Sequence, residues 1–131
     1  LIPEDQGFPS TIAWARAAWT GENLGRYIKH VNPQWFISTT DTALLHISAL
    51  IHGEVASERL FGFAEPFNFN QILAVFRSLY PERKFLDDVE GQGVDRLRVP
   101  SQRAEEVLKW LKGAGWDSLE TSLKEMSEDW V

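Results

Sequence analysis

The apolar run over residues 43–51 constrains this chain more than any other segment. Ala43, Leu44, Leu45, Ile47, Ala49, Leu50 and Ile51 fall nearly all round a helical turn, and a helix with no polar face has to be covered on more than one side. Thr39, Thr40 and Asp41 precede it with oxygens suited to a helix start, and Gly53 follows as a stop. A helix is therefore predicted over residues 42–52, sandwiched between other layers at the centre of the core. Interrupted by His46 and Ser48, the run falls well short of the roughly 20 apolar residues that cross a bilayer.

The flanking segments supply the layers. Pro9-Ser10 opens a helix over residues 11–20, with Ile12, Ala15 and Trp19 on one side, Trp14 and Ala18 beside them, and Gly21 ending it. Residues 24–31 form a short second helix, broken at Asn32-Pro33. Residues 34–38 and 59–64 suit strands, and residues 97–99 suit a third. Asn68 with Gln71 three residues later is a capping-box signature for a helix over residues 69–80. There Phe69, Ile72, Leu73, Phe76 and Leu79 recur at helical spacing, and Pro81 ends it. Pro100-Ser101 starts a helix to Lys112 with Ala104, Val107, Leu108 and Leu111 inward. Asp117 and Glu120 cap a last one, striped by Leu119, Leu123, Met126 and Trp130. The acidic, glycine-containing stretch 82–97 reads as a long ordered loop able to cover a pocket. The sum is a helix-rich α+β fold of five to six helices and two or three short strands. With no repeat or compositional break, residues 1–131 are expected to form a single domain.

Charge and composition narrow the function. Nineteen acids against thirteen bases give a net charge of -6, with no basic stripe, so the surface repels a phosphate backbone and no nucleic-acid partner is expected. The absence of cysteine removes thiolate chemistry and fits a reducing, cytoplasmic setting. The opening residues are acidic rather than basic, unlike a secretory n-region. His30, His46 and His52 include no pair four residues apart, so no metal site is expected. Six Trp and eight Phe are a heavy aromatic load whose rings either pack the core or line a concave site. Trp14, Trp19, Tyr27, Trp35 and Phe36, interleaved with His30, are the candidates for an aromatic substrate wall, with core packing as the alternative. Trp110, Trp116 and Trp130 read as packing anchors, and Glu65 as a solvent-facing loop residue. Asp41 is a helix cap or a general base. His46 is a core histidine or its catalytic partner.

The stretch FISTTDTALLHISALIHGEVASERLFGFAEP, residues 36–66, resembles the C-terminal half of extended or atypical short-chain dehydrogenases, the fungal aldehyde and ketone reductases and NAD-dependent epimerases. The matching pieces are the helix from Ser38 to Leu50, the Glu58-Arg59-Leu60 triplet and the Pro66-Phe67-Asn68 helix start. The similarity continues through residues 72–81, 103–111 and Gly115-Trp116 to Leu119, and so covers most of the chain from about residue 9 onward. Thr40 departs from the family pattern, which has an arginine before the aspartate. The resemblance implies a substrate-binding domain, with the region around Trp14 to Phe36 closing over substrate. The Rossmann half, with its glycine-rich phosphate loop and catalytic Tyr and Lys, lies outside this sequence; Gly91-Gln92-Gly93 lacks the third glycine. No cofactor is therefore expected on this chain. The expected activity is a cofactor-independent, non-redox cyclisation or isomerisation of a hydrophobic, polyketide- or terpenoid-like metabolite in an aromatic-lined pocket. Two alternatives stand beside it: a C-terminal fragment of an NADPH-dependent aldehyde or ketone reductase, and a non-catalytic scaffold, homodimeric through the face that the missing half leaves bare.

Overall fold

The computed structural model describes residues 7–131; residues 1–6, most of the acidic opening, lie outside them. In chain order the described residues form α1 (Thr11–Thr20), α2 (Leu24–His30), β1 (Gln34–Phe36), α3 (Thr39–Ile51), β2 (Glu65–Phe67), α4 (Phe69–Leu79), α5 (Gln102–Lys112) and α6 (Leu119–Ser127). A final 3-10 turn covers Glu128–Trp130. This is the helix-rich α+β arrangement that the sequence predicts, with one small sheet. In it β1 and β2 run antiparallel, pairing Gln34 with Phe67, Trp35 with Pro66 and Phe36 with Glu65.

Two apolar clusters hold the helices. The larger gathers α1, α2, α4 and α6 around Trp19, Leu73 and Phe76. Trp19 stands edge-on to Phe76, Tyr80, Phe85 and Trp130, with centroids 4.9–5.7 Å away. Such edge-to-face contacts exploit the ring quadrupoles beyond simple burial. The smaller cluster joins α3 to α5 through Leu45, Ala104, Val107 and Leu108, with Trp116 against it.

The capping box reads true. Asn68 Oδ1 accepts the Gln71 N–H at 3.0 Å, and Gln71 Oε1 accepts the Asn68 N–H at 2.9 Å. Replacing Asn68 by alanine is expected to lower stability by about 1 kcal/mol, the usual loss for such a cap, measurable by urea unfolding.

Several expectations need correcting. The helix predicted over 42–52 starts at Thr39, because Ser38 is the cap and its Oγ accepts the Asp41 N–H at 2.9 Å. Nor is α3 sandwiched: Leu45 is buried against α5, but Leu50 is 85% exposed, Ile51 59% and Ile47 45%. No strand forms over 59–64. Gly62 instead packs so close to Ile37 and Leu45 that a Cβ would sit 2.8 Å from the Ile37 side chain. The ladder begins only at Glu65, just after Ala64 donates to the Phe36 carbonyl. Residues 97–99 form no strand either; the Leu97 N–H turns back onto Asp95 Oδ1. The 82–97 loop lies along α4 rather than over a pocket, tied by Asn70 to Val89, by Arg77 to Asp88 and by Asn68 to the Gly93 carbonyl.

Candidate functional site

A cavity of about 550 Å³ opens where α1, the β1–β2 sheet and α6 meet. Trp14 from α1, Trp35 and Phe36 from β1 and Phe67 from β2 give it aromatic walls, and Ile72, Leu123 and Met126 add aliphatic ones. The sheet sets the spacing of the rings: Phe36 and Phe67, on paired strands, meet edge to face at 6.2 Å. The size is that of a pocket for a small organic ligand. Two polar atoms on lining residues, Trp35 Nε1 and Ser122 Oγ, are shielded from solvent and have no hydrogen-bond partner.

Three of the six predicted wall residues, Trp14, Trp35 and Phe36, are therefore at one cavity. The others are not. Trp19 is 4% exposed inside the aromatic cluster, with the Arg83 guanidinium 4.5 Å from its ring centre. Tyr27 packs against the same core from α2, and His30 is exposed at the end of that helix. Trp14 and Trp19 are five residues apart, about 140° round a helix, so one faces the cavity and the other the core. Trp110, expected as a packing anchor, is half exposed on α5, its ring 4.1 Å from that of His52. Glu65 does not face solvent as a free loop residue. Its Oε1 accepts the Leu119 N–H at 2.7 Å, which pins the start of α6 to β2 beside the cavity.

Asp41 and His46 are not brought together. They too are five residues apart, and the same rotation sends them different ways. His46 is exposed, its Nδ1 2.8 Å from the Thr42 carbonyl, on a separate open groove of about 370 Å³ that it shares with Glu58. Glu58 is held there by Nε and Nη2 of Arg103, whose hydrogen bonds lower the Glu58 pKa. Asp41 is fully buried and lines neither cavity.

Asp41 belongs instead to a latch that sequence reading missed. Its Oδ1 accepts from Lys112 Nζ at 2.6 Å and its Oδ2 from the Asp117 N–H at 2.7 Å. Lys112 also reaches Asp117 Oδ1 at 2.6 Å and the Gly115 carbonyl at 3.1 Å. Ser38, on the cavity wall, donates to Asp117 Oδ2 at 2.9 Å. Asp117 is thus no cap for α6; Ser118 fills that role through the Thr121 N–H. The Lys112 hydrogen bond holds the Asp117 carboxyl below its ordinary range against the opposing effect of burial, with Ser38 helping. Burial disfavours the Lys112 charge, but the hydrogen bonds to Asp117 and Asp41 prevail and raise its pKa.

A pH dependence with a definite sign follows. Asp117, depressed in the fold, contributes stability that is complete above its unfolded pKa of about 3.8 and is lost as pH falls through the folded value. Lys112, raised in the fold, contributes stability that is complete below about 10.5 and is lost as pH rises through its folded value. Melting temperature followed against pH is expected to be flat between these limits and to fall outside both.

The described residues do not form a site that fits a dinucleotide. The described sheet has two antiparallel strands and no parallel strand leading through a glycine turn into a helix. The Gly91-Gln92-Gly93 stretch is committed to α4, where Gln92 Oε1 accepts the Phe69 N–H and Gly93 accepts from Asn68. Tyr80 and Lys84 have the four-residue spacing of a catalytic Tyr–Lys pair. That spacing stacks two side chains only on a helix, and α4 ends at Leu79. The Tyr80 hydroxyl is hydrogen-bonded to buried Ser127 at 2.8 Å and lines neither cavity. Among the described residues no group of three or more His, Asp or Glu converges on a metal-sized site, and no helix is long and apolar enough to cross a membrane.

These features define a class, a helix-rich α+β chain with an aromatic-walled cavity, and comparison with known proteins identifies its relatives. The chain is a homologue of fungal reductases and epimerases of the short-chain-dehydrogenase type, resembling their C-terminal part. It is 35% identical over 124 residues to aldehyde reductase 2 of Sporidiobolus salmonicolor, covering 95% of this chain and 36% of that protein. It is 32% identical over 127 residues to the NAD-dependent epimerase/dehydratase terH of Aspergillus terreus, covering 97% and 37%. With the ketoreductase nvfG of Aspergillus novofumigatus it shares 36% identity over 93 residues, covering 70% and 27%. The chain thus spans about a third of the length of the curated relatives it matches. No family model matches it.

Proposed function

We propose that this chain is the substrate-binding portion of an NADPH-dependent aldehyde or ketone reductase, and that its cavity receives a hydrophobic carbonyl compound. The observation that carries this reading is the aromatic-walled cavity of about 550 Å³, formed within a chain whose relatives are reductases. Hydride chemistry belongs to a nucleotide-binding part whose elements are not among these residues, so the role assigned here is to bind and orient the carbonyl. The bare apolar face of α3 supports the same reading, since it suits a domain that packs against a larger body. The relatives favour this reductase reading over a cofactor-independent cyclase or isomerase. Asp41 is buried and His46 lies on a separate groove, so no proton-transfer pair at the aromatic cavity supports the latter.

The test compares the 131-residue chain with the translation product of its complete reading frame, using a hydrophobic aryl ketone. The chain alone is expected to bind the ketone without oxidising NADPH, and the complete product to reduce it. Trp14→Ala in the complete product is expected to raise KM up to about tenfold, the scale of one aromatic contact. Conversion of the ketone by the chain alone, without nucleotide, would overturn the reading.

A further inference from the structure

We infer that the cavity admits uncharged ligands and rejects anions, and that Glu125 sharpens this discrimination. The inference rests on the cavity being the substrate site and narrows the class of substrate. Among the described residues lining it, the polar groups are the hydroxyls of Thr11, Ser38, Thr39, Thr40 and Ser122 and the Gln34 amide. One lining side chain is ionisable, and it is the acid Glu125. Among the described residues no lysine, arginine or histidine lines the wall.

Neither nearby cation among the described residues, Lys112 or Arg16, lines the cavity. Lys112, behind Ser38, is bound by Asp41 and Asp117 at 2.6 Å each, so that group carries a net negative charge. Arg16 on α1 stands over the rings of Phe8 and Trp130, 5.1 and 5.0 Å from their centres; its buried Nη1 has no hydrogen-bond partner, but the residue is not on the cavity wall. A carboxylate or phosphate entering between Trp14, Trp35 and Phe67 loses water and finds neutral donors but no cation on the wall to balance its charge, which is unfavourable. Glu125 adds repulsion at the exposed side, where water screens it in part. A ketone or ester loses far less on entry, since it carries no formal charge and buries its rings against apolar walls.

Calorimetric titration of the protein with methyl para-acetylbenzoate and with the free para-acetylbenzoate at neutral pH tests this. The two share one ring and one ketone and differ in charge. The ester is expected to bind at least about tenfold more tightly than the acid. Glu125→Gln, at an exposed position that does not threaten folding, is expected to narrow the ratio several-fold. Equal or tighter binding of the acid overturns the inference while leaving the cavity a binding site. An unchanged ratio in Glu125→Gln overturns the role of that residue. Failure of both compounds to bind overturns the cavity as the substrate site, and this inference with it.

Discussion

Trp19→Ala is expected to destabilise the protein by about 3–5 kcal/mol, the range for deleting a fully buried aromatic side chain. The ring is 4% exposed, meets four other rings edge-on, and carries Arg83 over its face. Deleting it leaves a void that neither the α4 backbone nor the 3-10 turn at Trp130 can fill without shifting the whole cluster. Thermal unfolding by circular dichroism should show a fall in Tm of roughly 10–20 °C. Trp14→Ala, on the cavity side of the same helix, is expected to cost less stability and more ligand affinity. A Trp19→Ala protein that melts close to wild type but fails to bind ligand would return Trp19 to the cavity wall.

Lys112→Met is the second large effect. Removing the ammonium leaves the Asp41 carboxylate at 0% exposure with only the Asp117 N–H beside it, and breaking a buried pair from one side costs about 3–5 kcal/mol. Lys112 keeps some access to water, which favours the lower end of that range. Adding Asp41→Asn to Lys112→Met should recover part of the loss by removing the orphaned charge, a coupling that a double-mutant cycle reads directly. Additive losses from the two substitutions would show that the latch is not an interacting unit.

Local chemistry was legible in the sequence where it acts between neighbours. The stripe of Phe69, Ile72, Leu73 and Phe76, the Asn68–Gln71 box and the Gly21 stop each depend on residues within a turn or two, and each appears as read. Ser38 was passed over as a cap because Thr39, Thr40 and Asp41 offer competing oxygens immediately after it. Its choice depends on Asp117, which lies 79 residues further along. The Asp41–Lys112 pair spans 71 residues, and no periodicity announces such a contact. The same limit separated wall from core: an aromatic on α1 is one or the other according to its angle round the helix, and composition carries no angle. For α3, an apolar circumference implied burial within this chain, yet it sets only the need for cover.

The ion pairs beneath Ser38 bear on how a guest is received. Ser38 caps α3, bonds Asp117 at the approach to α6, and forms part of the wall, so two of the cavity's sides are fastened to each other before anything arrives. Ordering loops on arrival is a recurrent penalty in molecular recognition, and a mouth already braced by its own electrolytes is spared much of it. Shape held in readiness would add to the selectivity of such a receptacle, and loosening the brace should blur which guests are accepted before it abolishes acceptance.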